Sequence, residues 1–307
     1  MRHSNKSRAS PNSTESGDAL GRAERAPAKV NLTLRVVGRR PDGYHDIESL
    51  VVFASAGDKL AFTAGPKLAL SARGPTAASS GAAADNLVLK AACALAERIE
   101  GVKFGRFVLS KRLPVAAGLG GGSADAAAAL RLLARANRLA LDDRRLREAA
   151  RATGADVLVC LEGRPRLMRG IGDILSEPIN LPRMAAVLVN PGVAVPTKDV
   201  FARLNAPRIV RTAATEPPAR VPTDRAALMA YLQSRTNELE APAIALAPAI
   251  ADVLTALQRL PSCRLARMSG SGATCFGLFD SGKAAAAAAR LLRTRHAGWW
   301  VRATVFG

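Results

Sequence analysis

The stretch VAAGLGGGSADAAAAL, Val115 to Leu130, constrains this chain more than any other. Before it, KFGRFVLSKRL alternates apolar Phe107 and Leu109 with polar neighbours, the period-two pattern of a strand ending near Pro114. After it, an Ala- and Leu-rich run predicts a helix from Ala124 to Ala140, with Ser123 as its cap and Asp125 in its first turn. Between the two lie Gly118, Gly120, Gly121 and Gly122, which free the backbone for positive φ and for close approach to a ligand. Strand, glycine loop and helix N-terminus bring unpaired N–H groups and the positive end of a helix dipole to one place. That is how a chain builds an anion site, most often for phosphate. A plain strand-to-helix turn needs a single glycine, and the others carry an entropic cost in the unfolded chain.

The loop is not a Walker loop, because no lysine follows the glycines. Nor is it a Rossmann loop, since Ser123 fills the place of the third glycine. It resembles the Pro-x-x-x-Gly-Leu-Gly-Ser-Ser signature of the GHMP small-molecule kinases, written here as Pro114, Gly118, Leu119 and Gly120, then Gly121, Gly122 and Ser123. The resemblance implies ATP gripped by backbone amides, with Pro114, Val115, Ala116, Ala117, Gly118, Leu119, Gly120, Gly121, Gly122, Ser123 and Ala124 as the cofactor-binding run. It implies Mg²⁺ with the ATP, Ser123 being a candidate ligand. It also implies an α+β, two-domain GHMP kinase fold with the active site in the cleft between domains. A basic tail, 1–25, would precede an N-terminal ribosomal-protein-S5-like domain, 26–182, and a C-terminal ferredoxin-like α/β sandwich domain, 183–307.

Composition narrows the partners. A chain of 307 residues can bury one large core or two ordinary ones, and the distance between its glycine-rich loops favours two. Lys and Arg number 44 against 25 Asp and Glu, a formal charge of +19 that attracts polyanions. These basic residues are spread throughout, in DDRRLREAARATG as much as in loops, with no recognition helix, zinc-finger spacing or RNP-type aromatic motif. An Arg- and Ala-rich composition is what a GC-rich genome gives, a reading that outweighs nucleic-acid binding, and a field favouring anionic substrates would be a by-product of either. Cys93, Cys160, Cys263 and Cys275 have no C-x-x-C or metal spacing. No apolar run is long enough for a bilayer, and the Ser-, Asn- and Arg-rich start lacks the apolar core of a secretory signal. The expectation is a cytoplasmic protein with reduced thiols, off the membrane, a monomer or weak homodimer, whose first residues to about Glu24 are disordered.

Order begins with AKVNLTLRVVG, where Val30, Leu32, Leu34 and Val36 alternate with polar residues as one strand. Lys29 and Asn31 share its polar face, roughly 7 Å apart. The resemblance puts a matching Lys-x-Asn opposite the transferred phosphate, Lys29 as catalytic and Asn31 as substrate-binding. The run from Gly38 to His45, GRRPDGYH, closes a turn and presents Tyr44 and His45 together. It resembles the mark of one branch of the family, in which the tyrosine packs on a cytosine ring and the histidine hydrogen-bonds its edge. Stacking with an edge hydrogen bond is a sound way to read a flat heterocycle.

Strands are predicted over Ile47–Phe53, DKLAFTA and KLALSA, then a helix from Asn86 to Glu100 capped by Asp85. The resemblance puts Asn86 beside the nucleotide base. A helix from Asp142 to Thr153 ends at Gly154, and Asp156 then opens an apolar run, where a carboxylate needs a partner. Gly-Ala-Asp-Val matches the family's catalytic-aspartate motif, with Leu158 where proline is usual, so Asp156 is the implied base. Further on, a buried strand in PRMAAVLVNPG leads to VPTKDVF, where Thr197 and Phe201 occupy substrate-contacting positions in relatives. Phe201 would sandwich the cytosine opposite Tyr44, or else be plain core. A loop is predicted from Ala206 to Pro222, with helices over Asp224–Ser234 and Ala243–Arg259. Gly270, Ser271 and Gly272, the third family motif, precede a strand over Thr274–Phe279; a helix over Lys283–Arg295 and the strand WWVRATVF follow. The implied activity is ATP-dependent phosphorylation of the 2-hydroxyl of a diphosphocytidyl methylerythritol. The alternative is a relative acting on mevalonate, homoserine or a sugar.

Overall fold

The computed structural model describes residues 22–80, 85–209 and 219–307. Most of the expected tail, and part of the loop expected from Ala206 to Pro222, lie outside them. β1 (Arg22–Asn31) reaches into the segment expected as tail, and its Glu24 finds Arg131 and Arg135 as partners. β1 runs antiparallel to β3 (His45–Ala64), a single twenty-residue strand that absorbs two of the expected ones. At Gly57 the paired β1 comes unusually close, beside its bulge: a Cβ there would lie 2.4 Å from the Ala26 carbonyl oxygen. The strand expected through Val36 is split. Leu32–Leu34 leave the ladder where Thr33 Oγ1 accepts the Leu50 amide and the Thr33 carbonyl accepts Ser49 Oγ. β2 (Arg35–Arg39) then rejoins β3.

β4 (Ala69–Arg73) pairs parallel with β5 (Gly105–Ser110), which pairs antiparallel with the far half of β3. The near half of β3 pairs with β6 (Arg166–Gly170), continued by the short β7 (Ile174–Leu175). Four helices pack together beside these strands: α1 (Leu87–Ala96), α2 (Gly121–Ala136), α3 (Arg144–Thr153) and α4 (Val157–Glu162). α2 is the central one. From Ala124 to Ala134 every residue but Arg131 is buried, mostly alanine, which lets its neighbours approach closely. It starts three residues before the expected point. Gly120, at φ +58°, is the N-cap, and Ser123 lies inside the first turn instead of capping it. α1 is capped by Asn86, not Asp85, and stops at Ala96 short of the expected Glu100.

In the second half β8 (Met184–Asn190) is central, flanked by β11 (Trp300–Phe306) and β10 (Cys275–Phe279), with β9 (Cys263–Met268) outside β10, all antiparallel. β9 was not expected; its RLARM offers no clean alternation because Arg267 is buried. α5 (Thr197–Leu204), α6 (Arg225–Gln233), α7 (Glu240–Leu246), α8 (Ala249–Gln258) and α9 (Gly282–Arg295) complete this half. α7 and α8 replace one expected helix, broken before Pro248. The two sheets join where Phe306 of β11 pairs with Ala54 of β3. A shared apolar cluster lies there, with Val30, Leu50 and Leu119 from the first half and Leu188, Phe276 and Phe306 from the second. Among the described residues no helix is long and apolar enough to cross a membrane.

Candidate active site

The glycine loop leaves β5 and enters α2 with Ala116, Gly118 and Gly120 all at positive φ. Its carbonyls point into the protein. That of Leu119 accepts the Lys29 amide at 2.9 Å, that of Gly118 the Ser269 hydroxyl at 2.9 Å, and that of Ala117 the Thr274 amide at 3.2 Å. Leu119 is buried in the shared core and pins the loop. At Gly118 the close approach is to protein: a Cβ would lie 2.3 Å from the Ser269 carbonyl oxygen. Gly122, by contrast, is exposed. The N–H groups opening α2 have no intrahelical partner, so the loop ends in amide donors at a helix N-terminus. An alcohol, Ser123, sits half-buried in that first turn.

Against this loop stand two residues from distant segments. Lys29 Nζ, on β1, donates to Asp156 Oδ2 at 2.8 Å; Lys29 is 5% exposed, while the Asp156 side chain keeps 30% of its surface open. A Cβ on Gly120 would lie 3.3 Å from Lys29 Cβ and 3.7 Å from Asp156 Oδ2, so the three meet at one spot. Asp156 is the N-cap residue of α4 but makes no capping hydrogen bond. α4 begins directly after it, and Leu158, in the usual place of proline, is simply buried in the core. One turn on, burial and then the Asp156 carboxylate push the Cys160 thiol up to about 12, so it stays a neutral thiol. A carboxylate held by an ammonium, facing amide donors, can take a proton from an alcohol beside a bound phosphate.

Asn31 lies next along β1. Its backbone amide donates to Ser269 Oγ at 3.1 Å and its side-chain amide to Ser49 Oγ at 2.7 Å. Its Oδ1 is buried beside Gly270 with no hydrogen-bond partner among the described residues. Ser49 is four residues along β3 from His45, about 13 Å. Asp42 folds the preceding turn by accepting the Tyr44 amide at 3.1 Å, leaving Tyr44 62% exposed. The ring that Phe201 meets is that of His45, at 4.8 Å between centroids and 28° between planes, not Tyr44. Burial and then the Arg39 guanidinium hold this imidazole below its usual pKa. α5 spans the distance between the two ends. Thr197, in its first turn, shares a 2.8 Å hydrogen bond with Ser271 beside the glycine loop, and Phe201, one turn on, reaches His45. Asn86 caps α1, its Oδ1 accepting the Val88 amide at 3.0 Å. The next residue, Leu87, would meet a Cβ on Gly122 at 3.4 Å.

Other residues here carry no motif and were not foreseen. Ser269 ties β1 to the glycine loop, and Asn237 donates to the carbonyls of Met268 and Gly270 at 2.9 and 2.8 Å. Lys111 sits buried between Asp58 and Asp125. Burial, partly offset by Lys111, pushes the Asp125 carboxyl up to about 7.

The model of the GHMP kinases N terminal domain matches residues 86–164, and that of the GHMP kinases C terminal matches 222–297. A Xanthobacter autotrophicus protein named 4-diphosphocytidyl-2-C-methyl-D-erythritol kinase is 58% identical over 92% of this chain and 97% of its own length. A Rhodopseudomonas palustris protein of the same name is 55% identical with the same coverage. Among solved structures, a 4-(cytidine 5'-diphospho)-2C-methyl-D-erythritol kinase is 36% identical, covering 93% of this chain and all of its own at a TM-score of 0.72. Homoserine kinase from Cytophaga hutchinsonii, at 18% identity and a TM-score of 0.67, shares the fold.

Proposed function

The chain belongs to the GHMP kinase family, and on that premise we propose that it phosphorylates 4-diphosphocytidyl-2-C-methyl-D-erythritol on its 2-hydroxyl, using ATP and releasing ADP. The observation that carries the mechanism is the 2.8 Å Lys29–Asp156 pair set against Gly120. Asp156 orients the 2-hydroxyl and takes its proton as the oxygen bonds to the γ-phosphorus and the bond to the ADP oxygen breaks. Lys29 keeps Asp156 paired and offsets charge growing on the phosphoryl oxygens. Amides from Gly118 to Ser123 hold the β- and γ-phosphates, within the cofactor-binding run Pro114–Ala124, and Asn86 lies toward the base. Tyr44, His45 and Phe201 take the cytosine, with Asn31 and Thr197 along the rest of the substrate. In this reading the cleft lies between 26–182 and 183–307.

Mg²⁺ supplies counter-charge to the phosphates when it arrives with ATP. Among the described residues no group of three or more His, Cys, Asp and Glu could hold a metal ion; Ser123, in the first turn of α2, would be the candidate side-chain ligand for Mg²⁺ bound with the phosphates.

The test is a coupled assay of ADP release from the full chain. Turnover is expected with the diphosphocytidyl substrate and none with mevalonate, homoserine or galactose. Turnover on one of those three, with none on the diphosphocytidyl compound, would replace the proposal.

A further inference from the structure

Beneath the start of α2 lies an ion cluster that this mechanism does not use. Lys111, 3% exposed, donates through Nζ to Asp58 Oδ2 and to Asp125 Oδ2, both at 2.6 Å. Asp58, on β3, turns its other oxygen to the backbone amides of Arg112 and Leu113, at 2.5 and 2.9 Å. Asp125 lies in the second turn of α2. The residues entering the glycine loop and the helix leaving it are thus fastened to one point on β3. The ammonium is packed against the first residue of the helix, since a Cβ on Gly121 would lie 3.3 Å from Lys111 Nζ.

Stability is a poor account of this cluster. Desolvating two carboxylates and an ammonium offsets most of their attraction, and an apolar trio of the same volume often does as well. Asp125 is 2% exposed, and its Oδ1 has no hydrogen-bond partner among the described residues, a further cost. What short, charge-assisted bonds supply well is fixed geometry. Geometry is what a cradle of backbone amides requires, because a misplacement of about 1 Å can cost a hundredfold.

We propose that Asp58, Lys111 and Asp125 are positioning residues for ATP, a buried staple that joins the two ends of the glycine loop and holds its amides in register for phosphate. The proposal rests on the kinase reading above.

Its test uses the full chain, with calorimetry of Mg-ATP binding in the absence of acceptor alongside steady-state kinetics. Asp125→Ala is expected to raise the Kd and KM for ATP about tenfold or more, with kcat at saturating ATP and the KM for the second substrate within about threefold. Asp125→Asn keeps the shape and the acceptor, and restores most of the affinity. Unchanged ATP affinity in folded Asp125→Ala overturns the proposal. If that variant does not fold, Asp125→Glu decides. It keeps the carboxyl group but pushes the helix start away from Lys111, and should raise the Kd at least about threefold; an unchanged Kd again overturns the staple. A wild-type chain that binds ATP but leaves the diphosphocytidyl substrate untouched would sink the proposed function and leave the staple standing.

Discussion

Asp156 occupies an N-cap position yet spends its carboxylate on Lys29, which separates it from the many acids that merely finish a helix end. If it is the proton acceptor, Asp156→Asn keeps the shape and the proximity to Lys29 but loses the basicity. The kcat should then fall at least about a hundredfold while the Kd for ATP stays within about twofold. Stopped or coupled turnover beside calorimetry would measure both, and a kcat within tenfold of wild type would remove Asp156 from the role. Each of these residues was legible from its own short motif. Their pairing could be expected only through the resemblance, because 127 positions separate them and it is the packing of α4 and the loop against β1 that brings them together. Lys111 was illegible for a related reason. A lysine at a strand end reads as an edge charge until its partners Asp58 and Asp125, 53 and 14 residues away, are seen around it.

At the scale of elements, alternation and glycine placement located most strands and helices, and two of the misses share a cause: tertiary contacts overriding local signals. Gly57 sits in the middle of β3 because the paired backbone of β1 lies too close there for a side chain, and β9 hides because its Arg267 is spent on the carbonyls of Leu32, Leu232 and Arg235. The same distinction divides the loop glycines into two kinds. Gly118, at φ +74°, meets the backbone of Ser269 and Gly272, so Gly118→Ala must move the whole Ser269–Gly272 turn. It should cost about 2–3 kcal/mol of stability along with ATP affinity. Gly122 lies within α2, exposed, with only the flexible end of Leu87 in reach. Gly122→Ala should leave the melting temperature equal or higher, since alanine favours a helix by about 1 kcal/mol over glycine, yet weaken ATP binding. Melting curves and calorimetry on both variants test this. Full ATP affinity in Gly122→Ala would mean that no ligand approaches the chain there.

For the molecule as a whole, the two sheets meet at the Phe306–Ala54 pairing, and Leu119, two residues from the first amide of α2, is buried in the core they share. The site is therefore held by contacts from both halves of the chain, and a charge distributed over both halves acts on it together. That charge is +19, and both proposed substrates are polyanions. Scattered along the sequence instead of gathered in one basic motif, it would draw small anions toward the molecule without gripping any one of them. Its reach is set by salt, with a Debye length of about 30 Å at 0.01 M and about 8 Å at 0.15 M. Across that range kcat/KM for ATP and for the diphosphocytidyl substrate should both fall severalfold, because the approach of each is screened. The kcat, read at saturation, should hardly move, since Lys29 is buried and its pairing with Asp156 is screened far less. Initial rates in sodium chloride at constant pH and free Mg²⁺ separate the two effects. A kcat/KM that stays level while salt rises would mean that the excess charge plays no part in capturing substrate; a kcat that falls in step with it would mean that the paired groups stand open to solvent.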